Sequence, residues 1–404
     1  MTKVQLIHHQ ETVKVPLDAT TQVSLLEFIQ QKCPHLYGPE AFFQQTPYLF
    51  NGHLQTGYAS IYKGTPSMDD ITYQRKYLRM KDGGQVALDW FPGLPNTAST
   101  DNQDDNLIDT PTLVCLHGLT GGSHESYIRG ILETVTAAPF NYQSVVINSR
   151  GCGKSEVKTP QLYCGAHTED TRVAIQHIRN QLKPGTPLIA VGFSMGANIL
   201  VNYLGEEEDR TPLTAAISVA NPFDFSWCIN NLEKGIFSQK VYSTTMATSL
   251  KNLFTTHREM LAKNENVNEE EVMSAITIRQ FDDACTRKMF GYASVDDYYF
   301  DASSSRRIEN VKIPLLCLNA LDDPISHHEA LPIQQVQSNS NVVLALTPHG
   351  GHIGWFEYIQ QPSRWMNKPL TEFITAVFQA HDQRPLISSS TAPSATHEKY
   401  HEST

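Results

Sequence analysis

The sequence predicts an α/β protein: a mostly parallel twisted sheet with helices on both faces and a helical cap inserted after the sixth strand. Three observations lead there. Short apolar runs alternate with helical stretches, the pattern of βαβ units covered on both faces. About 90 residues of helix-favouring sequence, from Phe225 to Ile313, stand where a single crossover is expected. Gly192-Phe193-Ser194-Met195-Gly196 joins an apolar run to a helical one, giving strand, sharp turn and helix in that order.

In chain order, residues 1–40 read as an N-terminal extension with one short helix over 24–33, where the apolar spacing is helical and stops at Pro34. Leu78 to Phe91 predicts two strands around an Asp82-Gly83-Gly84 turn. Residues 95–110 are a polar loop. Buried-type strands follow at 112–116, 144–148, 188–191, 215–219, 315–318 and 342–346, with helices at 126–138, 166–182, 195–208 and 326–338. Residues 41–225 and 311–382 make the core, 226–310 the cap, and 383–404, Ser/Thr-rich and almost without apolar residues, a disordered tail.

The composition narrows the partners. A 404-residue chain with a net charge of −11 and no long basic run argues against nucleic acid. Seven scattered cysteines without C-x-x-C spacing, and no N-x-[ST] sequon, favour a reducing, intracellular compartment. Met1 to Gln10 lacks a signal peptide's apolar core, and no run is long enough to span a bilayer. The expectation is a cytoplasmic or peripherally membrane-associated protein.

The turn at Ser194 carries the chemistry. A hydroxyl strained above a sheet edge becomes a nucleophile only when a base takes its proton and an acid orients that base. In this strand-turn-helix context the chain order is Ser, acid, His. His352 lies on the glycine-rich loop His349-Gly350-Gly351-His352 just beyond the strand at 342–346, with His349 as its competitor. The acid belongs at the end of the preceding strand, where Asp323-Pro324-Ile325 fits an Asp-x-apolar turn better than Asp322. An oxyanion hole needs two backbone N–H groups, one from the residue after the nucleophile. These are Met195 and, from the loop His117-Gly118-Leu119-Thr120-Gly121-Gly122, Leu119 with Thr120 as the alternative. The spacing shows no phosphate-binding loop, no metal-ligand cluster and no cofactor requirement. Arg150, in a second glycine-rich loop, is expected to be a scaffold ion pair. Asn51-Gly52-His53-Leu54-Gln55-Thr56 has no mechanism that its spacing discloses.

With these residues in place the chain, from about Pro34 to Phe378, resembles the AB hydrolase 4 family of α/β-hydrolases. Its marks are Asn51-Gly-His-Leu-Gln-Thr56, His117-Gly-Leu-Thr-Gly-Gly122, Asn148-Ser-Arg-Gly-Cys-Gly153, Gly192-Phe-Ser-Met-Gly196, Asn319-Ala-Leu-Asp-Asp323 and Gly350-Gly-His-Ile-Gly354. The resemblance implies an α/β-hydrolase fold, a triad of Ser194, Asp323 and His352, and lipid-derived acyl substrates. It implies that the Asn51 to Thr56 segment is structural and near the core. Some animal members carry an N-terminal membrane anchor that the opening residues here do not show. The expected activity is serine carboxylic-ester hydrolysis of acylglycerols, phospholipids or medium-chain esters. The alternative is acyl transfer to an alcohol such as ethanol, from a donor such as acyl-CoA. A non-catalytic binding protein on the same scaffold is disfavoured because every triad member is present. Contact with a membrane or lipid droplet is a further expectation.

Overall fold

The computed structural model describes residues 2–94 and 107–381. The expected tail at 383–404 and most of the polar loop at 95–110 lie outside these residues. A nine-stranded sheet is built from β1 (Gln5–His8), β2 (Gln74–Arg79), β3 (Gln85–Phe91), β4 (Thr112–Leu116), β5 (Gln143–Asn148), β6 (Leu188–Phe193), β7 (Ala215–Val219), β8 (Leu315–Ala320) and β9 (Val342–Thr347). Across the sheet their order is β1-β9-β8-β7-β6-β4-β5-β3-β2. The strands from β4 to β9 pair in parallel. The hairpin β2-β3 and the edge strand β1 pair antiparallel.

The runs β4 to β9 are wholly buried because helices cover both faces, which is why each is centred on a short apolar run rather than on alternating polar and apolar residues. Alternate side chains serve opposite layers. Leu113, Cys115, Ile189 and Val191 pack with α1 (Leu25–Lys32), α3 (Ser126–Thr136) and the C-terminal helix Asn367–His381. Val114, Leu116, Leu188 and Ala190 pack with α4 (Glu169–Arg179) and α5 (Met195–Glu207). A third apolar cluster is made by α6 (Phe225–Lys234), the helices Thr244–Thr256 and Val295–Ala302, and the short pieces between them. Met195 packs against both this cluster and the core beneath α5.

Two expectations are corrected. The N-terminal residues, read as an extension before the core, supply β1, so the helical insertion follows the seventh strand of the sheet in chain order. The pattern of β1 is only partly buried, so it lacked the apolar signature of a central strand. The continuous helix expected over 326–338 is instead a 3₁₀ turn, His328–Ala330, followed by a helix, Ile333–Ser338. Pro332 disfavours helical backbone at Leu331. The Asp323 carboxylate also takes the N–H groups of Ile325 and Ser326, holding that stretch as a turn.

Arg150 is a scaffold cation, as expected. Its guanidinium binds Asp170 on α4 through Nε and Nη2, both at 2.7 Å, and reaches Asp82 in the β2-β3 turn at 2.5 Å.

Candidate active site

The sheet order reverses around β4: the chain leaves it for β5 on one side and returns to β6 on the other. In open α/β sheets the crevice at the carboxyl ends of such neighbouring strands is where ligands bind. Here β6 delivers Ser194 and β4 delivers the loop beginning at His117.

Ser194 has φ 52 and ψ −118, a left-handed conformation that costs a side-chain-bearing residue about 1–3 kcal/mol. Its N–H donates to the Val219 carbonyl on β7 at 2.9 Å, which anchors the turn. The flanking glycines answer to crowding. A Cβ on Gly196 would stand 2.5 Å from the Leu116 and His117 carbonyl oxygens, and one on Gly192 would stand 2.5 Å from the Gly196 oxygen.

His352 Nε2 lies 2.7 Å from Ser194 Oγ, and its Nδ1 lies 2.8 Å from Asp323 Oδ2. Asp323 is buried, and its other oxygen accepts from the backbone N–H groups of Ile325 and Ser326 at 2.8 and 2.9 Å. Those donors fix the carboxylate and leave Oδ2 for the imidazole. The adjacent alternatives pair with one another instead: His349 Nδ1 lies 3.1 Å from Asp322 Oδ2, and Asp322 Oδ1 accepts the Gly351 N–H.

Both expected oxyanion donors border the same cavity as Ser194. Met195 is the first residue of α5, where backbone N–H groups have no intrahelical acceptor and the helix dipole is positive. The Gly118 carbonyl accepts from His117 Nδ1 at 2.7 Å and from the Gly121 N–H at 3.1 Å. In a planar trans peptide the Leu119 N–H points the opposite way, and it has no acceptor among the described residues. The alternative, Thr120, spends its N–H on the Tyr163 hydroxyl at 2.7 Å. His117 is buried, its Nε2 accepts the Ser149 N–H, and burial lowers its pKa to about 4, so the ring is neutral at pH 7.

The segment Asn51 to Thr56, whose purpose spacing did not disclose, holds the histidine loop. Asn51 caps α2 (Gly52–Ile61), accepting the Leu54 N–H. Thr56 Oγ1 donates to the Gly52 carbonyl at 2.7 Å and accepts the His352 N–H at 2.8 Å. Gln55 Oε1 accepts the Phe356 N–H just past that loop. The motif itself was visible, and only the fold brings its residues beside His352.

Two cavities border the triad, one at Ser194 and one at His352. One, of about 50 Å³, is almost wholly apolar and is lined by Ser194, Met195, Ile229, Leu232, Met246 and Ile278, the last four from the helical insertion. The other, of about 420 Å³, is lined by His352 with Thr56, Lys63, His124, Glu125 and Arg364 among others. Ile325 borders both.

Comparisons with known proteins bear on the family of the chain. A family model described as alpha/beta hydrolase fold matches residues 111–357. The chain is 37% identical over 367 residues to a human protein named Phospholipase ABHD3, covering 91% of this chain and 86% of the relative. It is 34% identical over 414 residues to a Saccharomyces cerevisiae Monoacylglycerol lipase, covering 91% and 90%. A third relative, Medium-chain fatty acid ethyl ester synthase/esterase 2 of the same yeast, is 30% identical over 431 residues, covering 92% and 93%. Fold and matches together define an ester-hydrolysing enzyme of the lipase and esterase type. The chain belongs to the α/β-hydrolase family.

Proposed function

We propose that Ser194, His352 and Asp323 hydrolyse carboxylic esters of lipid or medium-chain acyl groups through an acyl-enzyme. The observation that carries this reading is the relay of 2.7 and 2.8 Å contacts ending on a strained serine. His352 takes the Ser194 proton as Oγ attacks the carbonyl carbon, and the developing oxyanion meets the Leu119 and Met195 N–H groups. As the carbon–oxygen bond breaks, the imidazolium gives its proton to the leaving alcohol. Water, deprotonated by the same imidazole, attacks the acyl carbon, and the imidazolium returns the proton to Ser194 Oγ as its bond to that carbon breaks and the acid leaves. Asp323 stays ionised, holding the Nδ1 proton and the ring's orientation.

The apolar cavity beside Ser194 supports an acyl group there, under the helical insertion. Exposed Phe50, Ile61, Phe237, Tyr358 and Ile359 support contact with a lipid surface. All seven cysteines are unpaired and buried, which supports a reducing compartment. Two of the three relatives carry purely hydrolytic names, so water is favoured over an alcohol as acceptor.

Labelling with a fluorophosphonate and hydrolysis of p-nitrophenyl esters test the assignment. Wild type labels, whereas Ser194→Ala does not and loses about 10⁴-fold or more in turnover. Equal labelling of the two proteins would sink it.

A further inference from the structure

Two tyrosine hydroxyls outside the triad hold the loop that carries the Leu119 N–H. The Gly118 N–H donates to the Tyr127 hydroxyl at 2.9 Å, and the Thr120 N–H to the Tyr163 hydroxyl at 2.7 Å. Each of these amides belongs to a peptide plane next to the one that carries the Leu119 N–H. That middle plane is held through the Gly118 carbonyl, which accepts from His117 Nδ1 and from the Gly121 N–H. Three successive planes are thus fixed, and of their three N–H groups only that of Leu119 is left for a ligand. Thr120 stands at φ 56, a left-handed conformation in which a β-branched residue is strained. The Tyr163 hydroxyl, bonded to the Thr120 N–H, restrains the backbone at that strained position.

The two tyrosines reach the loop from different elements. Tyr127 is the second residue of α3, and its ring packs on Phe193, the residue before the nucleophile, with centroids 5.0 Å apart. One side chain therefore joins the Ser194 turn to the loop after β4. Tyr163 comes from the segment between β5 and α4, and its ring meets that of His117 edge to face at 6.1 Å. A Cβ on Gly118 would stand 3.3 Å from the Tyr127 hydroxyl and 3.4 Å from Ser194 Cβ, so hydroxyl, loop and nucleophile share one close contact. We propose that Tyr127 and Tyr163 are positioning residues of the oxyanion hole: by taking the two flanking N–H groups they leave Leu119 as the loop's single donor, held at the cavity that Ser194 borders. The inference rests on the ester-hydrolase reading above and adds to it the groups that aim the hole. Both tyrosines act through the backbone, and a donor fixed in advance is effective because it need not reorient as charge develops.

Tyr127→Phe and Tyr163→Phe keep both rings and remove only the acceptors. Acylation and deacylation pass through the same hole, so in p-nitrophenyl butyrate hydrolysis kcat is expected to fall about tenfold in each, with KM within about twofold of wild type. Both losses stay below the roughly 10²–10³-fold that removing a donor outright costs. An alkyl trifluoromethyl ketone supplies the second readout: Ser194 Oγ adds to its carbonyl carbon, the hydroxyl proton passes to His352, and a tetrahedral oxyanion remains in the hole. Its Ki is expected to rise in each variant by the factor by which kcat/KM falls. A folded Tyr163→Phe protein with wild-type kcat overturns the proposal, even if its melting temperature drops, because the tyrosine is then merely structural. So does a lower kcat with an unchanged Ki, which puts the loss outside the hole. If the buried Tyr127→Phe protein fails to fold, Tyr163→Phe alone decides by the same two readouts. Wild type inert to both ester and fluorophosphonate removes the hydrolase reading and this inference with it, whereas active wild type with unaffected variants removes this inference alone.

Discussion

Thr56 shows how a side chain with no chemistry of its own fixes the base. Its hydroxyl is the acceptor for the His352 N–H and in turn donates to the Gly52 carbonyl, so one oxygen couples the histidine loop to α2. Thr56→Val keeps the shape but leaves that buried N–H unsatisfied, a penalty of about 1–3 kcal/mol. Because the penalty falls on the placement of the imidazole, kcat is expected to drop by about ten- to a hundredfold with KM little changed, and Thr56→Ser to restore it. A Thr56→Val enzyme with wild-type kcat would contradict this. At this scale the triad was legible because the chemistry restricts both residue type and chain order. Thr56 was not, because its partner lies 296 positions away and a hydroxyl carries no signature of what it will accept.

At the scale of elements, α2 and the turn after β8 form one unit that sets both the acid and the base. Gly52 packs so tightly on that turn that a Cβ would stand 1.8 Å from the Asp322 carbonyl oxygen. Backbone meets backbone there, so neither side can yield by changing a rotamer. Gly52→Ala is expected to destabilise the fold by about 1–3 kcal/mol in urea unfolding, and to reduce esterase activity beyond what the folded fraction explains, as Asp323 moves away from His352. Wild-type activity and stability would refute the coupling. The same scale shows why some elements were readable. Central strands β4 to β9 betray themselves as apolar runs, and Gly83, with φ +85, marks the β2-β3 turn. The edge strand β1 carries polar and half-buried residues, and the helix expected over 326–338 is interrupted where Pro332 disfavours helical backbone at Leu331, so local pattern misread both.

Across the whole molecule, two buried ionisable groups impose opposite pH dependences on stability. His117 opens the candidate oxyanion loop, with its pKa lowered by burial from 6.5 to about 4. Its unfolded form takes up a proton first, so its contribution is complete above pH 6.5 and is lost as pH falls toward 4. Asp282 is buried in the helical insertion, accepting from the Thr286 and Tyr299 hydroxyls, and burial raises its pKa from 3.8 to about 6. Its folded form holds the proton longer, so stability is complete below pH 3.8 and declines as pH rises to 6. Each effect amounts to about 1.4 kcal/mol per pH unit within its window, or roughly 3 kcal/mol in all. Between pH 4 and 6 the two slopes oppose each other in the wild type, and substitution separates them. Relative to wild type, Asp282→Asn is expected to gain stability progressively from pH 4 to 6 and hold that gain above it. His117→Gln is expected to be less stable at pH 7, with its deficit shrinking as pH falls toward 4. Urea unfolding of the three proteins at half-unit pH steps checks both signs. Differences from wild type that stay constant from pH 4 to 7 would show that neither group titrates as its burial requires.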